Sequence, residues 1–337
     1  STAFFFGYNI VTISAFYWIR KWNWRRVTII CLPIAAAGLL AGSLVQGYAA
    51  LLAVTAVAGG AFAALYGLGT TILSDTSNPA RWFGLKIAAE AGVGAILFLV
   101  LPGTLIASHG FSGLVVGMLL TMLLLSPLLW LLPARGVKSH AQEQQEYSAL
   151  DELPESVNHW AIWSALFAAL VFFSGSSAVW AFMERLGNNA GYDSQTIATL
   201  LAVTLGCATM GSLGSAMLGK YFGNARPFLV CLLVILCSLL LLGSATDFTT
   251  YAMGCCLFTA AFGAGLPFAV SEIAELDVDG RYAVLSVPAI GLGAMIGPGT
   301  AGVAYAGDSP VLVLSMVAAT MFVAAALMGN AQKRKQR

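Results

Sequence analysis

The chain has 337 residues, 59% of them hydrophobic and 9% charged, with a net charge of +1 and a mean hydropathy of +0.84. That is more apolar surface than a water-soluble domain of this length can bury, so lipid must be the solvent. The near-neutral charge gives no reason to expect a nucleic-acid partner. No HExxH, CxxC or similar spacing occurs: His109, His140 and His159 stand far apart, and all six cysteines lie inside apolar runs, where they read as small hydrophobes. No enzyme activity, metal site or cofactor is expected.

Spanning the hydrocarbon layer takes about 20 apolar residues. Runs of that kind fall at 2–19, 27–45, 49–73, 83–107, 113–132, 160–183, 194–218, 228–244, 251–273, 283–306 and 311–328, so an all-α membrane protein of eleven spans is expected. Between the first two, IRKWNWRRV at 19–27 gathers Arg20, Lys21, Arg25 and Arg26. Loops on one side of the eleven spans carry 15 of the 16 basic residues, and the other side carries only Arg185. The positive-inside rule then places the opening basic cluster and the C-terminus in the cytoplasm, as for a multi-pass protein of a bacterial cytoplasmic membrane. The polar, acid-rich stretch 134–158 is the best linker. It divides the chain into a first half, 1–133, and a second half, 159–330, followed by a basic tail, 331–337.

Sliding the sequence by 200 residues lays Arg20, Trp22 and Arg26 on Lys220, Phe222 and Arg226, and lays Asp75, Arg81 and Trp82 on Glu275, Arg281 and Tyr282. The apolar runs between them coincide as well, so the halves read as parallel repeats. The run 160–183 has no counterpart, and the chain opens on Ser1. One preceding helix is expected to be missing, making the visible spans the second to the twelfth.

Two parallel six-helix repeats, a central cytoplasmic linker and paired basic loops resemble the major facilitator superfamily over the whole chain. The family's loop signature, GxxxD(R/K)xG(R/K)(R/K), is degraded. Residues 214–226, GSAMLGKYFGNAR, keep a glycine, Lys220, Gly223 and Arg226 but have Gly219 in the acid's place, and the first copy keeps only its cations. The resemblance implies alternating access around a site near the membrane midplane, with the cytoplasmic side latched when the outside is open. It also implies a monomer in the lipid bilayer that handles a small-molecule substrate and protons.

Such a latch needs cations facing acids. Arg20, Lys21, Arg25 and Arg26 are expected to meet Glu272, Glu275, Asp277 and Asp279, and reciprocally Lys220 and Arg226 to meet Asp75. The family's path-lining positions contain Tyr8, Asn9, Tyr66, Thr70, Ser174, Ser176, Ser177, Trp180, Gln195 and Thr199, with Glu90 inside a span and Glu184 at the outer end of another. A carboxylate in a span is costly and therefore a functional candidate, so Glu90 is expected to carry a coupling proton provided that Lys86 turns away from it. The glycine-rich stretches 59–69 and 291–302 read as close helix contacts. No Lys or Arg stands near the middle of a span, which disfavours a multiply anionic substrate. The expected function is secondary active transport of a small neutral or weakly charged organic solute, coupled to protons, with uptake and efflux both open. The alternative is a transport-inactive membrane sensor or scaffold.

Overall fold

A computed structural model describes residues 2–136, 158–278, 280–305 and 310–335, and all its regular structure is helical. In chain order the helices are α1 (Thr2–Trp18), α2 (Trp24–Leu44), α3 (Tyr48–Ser74), α4 (Pro79–Val100), α5 (Ala107–Leu125), α6 (His159–Asn189), α7 (Ser194–Phe222), α8 (Ala225–Gly243), α9 (Phe248–Leu276), α10 (Ser286–Tyr305) and α11 (Pro310–Lys335). Lipid offers backbone amides no hydrogen bonds, so a spanning segment must satisfy them internally, and helices do so. Their starts are set by short polar side chains. Asn23 and Asn158 accept from Arg26 N and Ala161 N, and Asp193 accepts from Thr196 N, each taking up a donor the first turn would otherwise strand.

Nine helical stretches among the described residues are long and apolar enough to cross a membrane. Two features separate that number from the eleven apolar runs. The 17-residue α1 is short, and Pro79–Leu131 is helical almost without a break, through a π-helical turn at Pro102–Ile106 and a 3-10 turn at Ser126–Leu131. Within that stretch Gly110 takes φ +56° and ψ −135°, a conformation open to glycine, and the chain doubles back there. A side chain on Gly113 would strike the carbonyl of Leu105, and one on Gly117 would strike Leu101. The linker expected at 134–158 lies outside the described residues except at its ends, and α11 continues as helix through most of the expected basic tail.

The chain forms two compact units, one of residues 1–75, 97–157 and 277–291, the other of 76–96, 158–276 and 292–337. Each half of the sequence thus lends a segment to the unit built mainly by the other. In the first unit α1 and α2 both pack along α3. In the second, α7 and α8 pack on α9, while α6 pairs with α11. Ser164 Oγ donates to Leu327 O and Asn158 Nδ2 to Arg334 O, both at 2.8 Å.

Reciprocal glycines set the α1–α3 crossing: a Cβ on Gly7 would fall on the carbonyl oxygen of Ala56, and one on Gly59 on that of Phe4. The α7–α9 crossing is made the same way, Gly211 against the carbonyl of Ala260 and Gly263 against that of Ala208. Gly211 and Gly263 stand 204 residues after Gly7 and Gly59. Such contacts replace the hydrophobic effect, which lipid cannot provide, with close backbone approach.

Candidate functional site

The basic loop after α1 folds over a small apolar floor. Ile19 and Trp24 are buried with Ala15, Val27, Ala64, Leu68 and Val284, the last from the second half of the sequence. Trp24 Nε1 donates to Ile19 O at 2.6 Å and Trp24 N to Ala134 O at 2.9 Å, which fixes the loop from both sides. Arg20 is thereby turned inward. Its Nη1 and Nη2 each donate to a carboxylate oxygen of Asp75, which follows α3, at 2.7 Å, and its Nε donates to Gly280 O at 2.8 Å. The side chains of Arg20 and Asp75 are 8% and 5% exposed. A bidentate fork of this kind suits Arg and not Lys. Gly136 lies against the pair: a Cβ there would press on Asp75, Trp24 and Arg20.

Gly280 belongs to the turn between α9 and α10, where φ +70° calls for glycine. That turn is held by Asp277, which is fully buried and accepts from Arg281 N at 3.0 Å and Ala283 N at 2.7 Å. Asp277 therefore shapes the turn that offers Gly280's carbonyl, and Asp75 aims the guanidinium that takes it.

This arrangement differs from the cation-to-acid pairing expected across the halves. Arg20 pairs with an acid of its own half and reaches the other half through a backbone carbonyl. Arg25 Nε donates to Leu132 O at 2.6 Å, and Lys21 and Arg26 line a pocket by the same loop. Glu272 is buried at 1% exposure, while Glu275 and Arg226 are exposed. Asp279 and the side chain of Lys220 lie outside the described residues. Sequence reasoning missed Gly136, Gly280 and Trp24. The DG pair at 279–280 signalled a turn, but nothing in the sequence marked its carbonyl as a ligand for Arg20.

The path-lining candidates separate by unit. In the first, the rings of Tyr8 and Tyr66 lie 6.5 Å apart. Thr70 is buried, as is Asn9, whose Nδ2 donates to Phe5 O at 2.8 Å. A Cβ on Gly291 would meet Tyr8 and Asn9 Oδ1, so α10 passes close to α1 here. In the second unit, Ser177 Oγ donates to Gly293 O at 3.1 Å, and a Cβ on Gly297 would strike Ser174 O. Ser174 and Ser177 therefore sit in the α6–α10 contact. Trp180, Glu184, Gln195 and Thr199 are exposed. Lys86 Nζ is 2.8 Å from Glu90 Oε1, so in this conformation the lysine does not turn away. No cluster of metal-binding residues occurs among the described residues.

An all-helical, multi-pass integral membrane protein with glycine-crossed helix pairs and a buried Arg20–Asp75 pair beside its basic loop is the class defined by these features. Residues 1–274 match the family model described as Major Facilitator Superfamily; the chain belongs to that family, whose members are transporters and not enzymes. No curated protein matches the sequence. Among solved structures, the fold is similar to that of the major facilitator superfamily transporter FucP in the outward conformation, with 19% identity and a TM-score of 0.77 over 99% of this chain and 88% of that one. It is also similar to the proton:xylose symporter XylE, with 11% identity and a TM-score of 0.77 over 98% and 84% of the two chains. The human organic anion transporter MFSD10 matches with 16% identity and a TM-score of 0.70 over 98% and 80%.

Proposed function

We propose that this protein is a secondary active transporter that moves a small neutral or weakly charged organic solute through a cytoplasmic membrane by alternating access. In this reading its helices form two parallel repeats, with the basic loops and the C-terminus in the cytoplasm. The observation that carries it is the lock: Arg20, held by Asp75 of the first half, grips the carbonyl of Gly280 in the second half. One directed hydrogen bond is a link that can break and re-form in each cycle, while the Arg20–Asp75 pair stays intact as its base. The repeat is supported by the glycine crossings and by a second correspondence. Gly84 of α4 abuts Ser212 and Ala216 of α7, as Gly291 of α10 abuts Tyr8 and Asn9 of α1.

A neutral solute suits Tyr8, Asn9, Tyr66 and Thr70 of the first unit, which offer aromatic faces and uncharged hydrogen-bonding groups, the combination that sugar rings accept. Xylose, named for one structural neighbour, is of that chemical class. Proton coupling through Glu90 requires that Lys86 release it during the cycle. Counterflow in proteoliposomes of the full-length protein, run against a panel of neutral sugars and polyols, tests the reading. Exchange of at least one solute is expected, and its loss in Arg20→Gln protein shown to remain folded would tie it to the lock. Failure to exchange any organic solute, neutral or charged, would leave the sensor or scaffold in its place.

A further inference from the structure

Lys21 and Arg26, which the lock does not use, open onto a pocket of about 540 Å³ together with Arg135. All three cations are exposed, and no carboxylate is among the described lining residues. Neither Lys21 nor Arg26 has a carboxylate in ion-pair range among the described residues. A second cavity, of about 530 Å³, runs along α1, α2 and α3 and is almost wholly apolar. The two adjoin at Trp22, Val27 and Cys31, which line both.

The groove lies where α1 and α2 each lean on α3, whose residues along it include Ala56, Val57 and Ala61. Along α1 it extends from Trp18 to Phe6, about 18 Å at the helical rise. That exceeds the ~15 Å half-thickness of the hydrocarbon core. At the mouth, Trp22 is 59% exposed and stands 5.4 Å from the ring of Trp18, the placement favoured by amphipathic rings at headgroup depth.

We propose that this is a binding site for an anionic glycerophospholipid of the cytoplasmic leaflet. Its phosphate lies among Lys21, Arg26 and Arg135, and one acyl chain lies along the groove. Charge and shape select this occupant together. A free phosphate has no use for an 18 Å apolar trough, and a zwitterionic lipid would carry its own cation into a cluster of three. Basic pockets between helices on the cytoplasmic face attract such headgroups at about 1 kcal/mol per cation. Because Lys21 follows Arg20 directly, an occupied site also steadies the loop that carries the lock. The proposal concerns binding and stands apart from the transport reading.

Native mass spectrometry of the full-length protein from nanodiscs of mixed phosphatidylglycerol and phosphatidylcholine provides the test. Preferential retention of phosphatidylglycerol is expected, falling about 5-fold for each cation removed in Lys21→Gln and Arg26→Gln. Val57→Trp, which fills the groove from its exposed side, should lower retention with the cations intact. Equal retention of both lipids, or wild-type retention by the double Gln variant, overturns the proposal. So does thermal stabilisation by inorganic phosphate equal to that by phosphatidylglycerol, which would mark an ion site alone. A preference that emerges only after the acids within 143–155 are neutralised would make the chain's own linker the occupant, and would overturn it too.

Discussion

At the scale of single residues, the buried Arg20–Asp75 pair sets the largest expectation. Removing one partner leaves a charge stranded in a nearly dry site, so Arg20→Gln or Asp75→Asn should destabilise the protein by roughly 3–5 kcal/mol. Replacing both should restore much of that loss, read as a positive coupling in thermal unfolding. Arg20→Lys should fall between the wild type and the Gln variant, because a lysine keeps the opposing charge but cannot form the fork and also reach Gly280. Two outer carboxylates give a pH signature. Asp193 and Asp247 are held below the usual aspartate range, first by the hydroxyls of Thr196 and Thr250 and then by those residues' N–H groups. A depressed folded pKa means that the unfolded chain binds more protons. The stabilisation is therefore present above the unfolded value and is lost as pH falls through the folded one. Protection of Thr196 N and Thr250 N, taken against the intrinsic exchange rate at each pH, should fall on acidification, and Asp193→Asn and Asp247→Asn should flatten that response. Charge patterning, read with the repeat and the family resemblance, singled out Arg20, Asp75 and Asp277. Their pairing was hidden because sequence gives the side of the membrane, whereas Trp24 and the Gly280 turn decide where each group points.

At the scale of elements, helix contacts turn on where a glycine stands. Within α7, Gly211 touches the backbone of α9, whereas Gly206 and Gly214 face open space. Gly211→Ala should therefore force α7 and α9 apart and lower the unfolding temperature. Gly206→Ala and Gly214→Ala should leave it unchanged or raise it, by up to ~1 kcal/mol in stability, through better helix propensity. Gly7→Ala should mirror Gly211→Ala in the α1–α3 pair. Equal effects across the three α7 variants would mean that the crossing is not built on glycine. Most spans were readable in the sequence because lipid demands long apolar runs. The reversal inside Pro79–Leu131 turns on one positive φ at Gly110, which falls in the short gap between the runs 83–107 and 113–132. The glycine stretches at 59–69 and 291–302 announced close contacts, but composition could not say that Gly59 meets Phe4 or that Gly297 meets Ser174.

At the scale of the whole molecule, the proposed proton coupling rests on Glu90, which has to be judged with Lys86. Glu90 stands seven residues past the start of the apolar run 83–107, about 10 Å along the axis, inside a span where an ionised carboxylate needs a partner. Lys86, one turn earlier, supplies it. If the pair only makes two charges tolerable in a span, Glu90→Gln strands Lys86 and should weaken folding, while the Lys86→Gln, Glu90→Gln double variant should recover both stability and uphill transport. If Glu90 instead carries the proton, the double variant recovers stability alone: accumulation driven by a proton gradient stays lost, while solute-for-solute exchange, which moves no net proton, continues. Glu272, buried near the end of α9, serves as the comparison, since Glu272→Gln removes a carboxylate with Lys86 and Glu90 untouched. We expect the double variant to exchange solute without concentrating it. Accumulation at the wild-type rate in that variant, together with its loss in Glu272→Gln, would move the coupling site from α4 to α9.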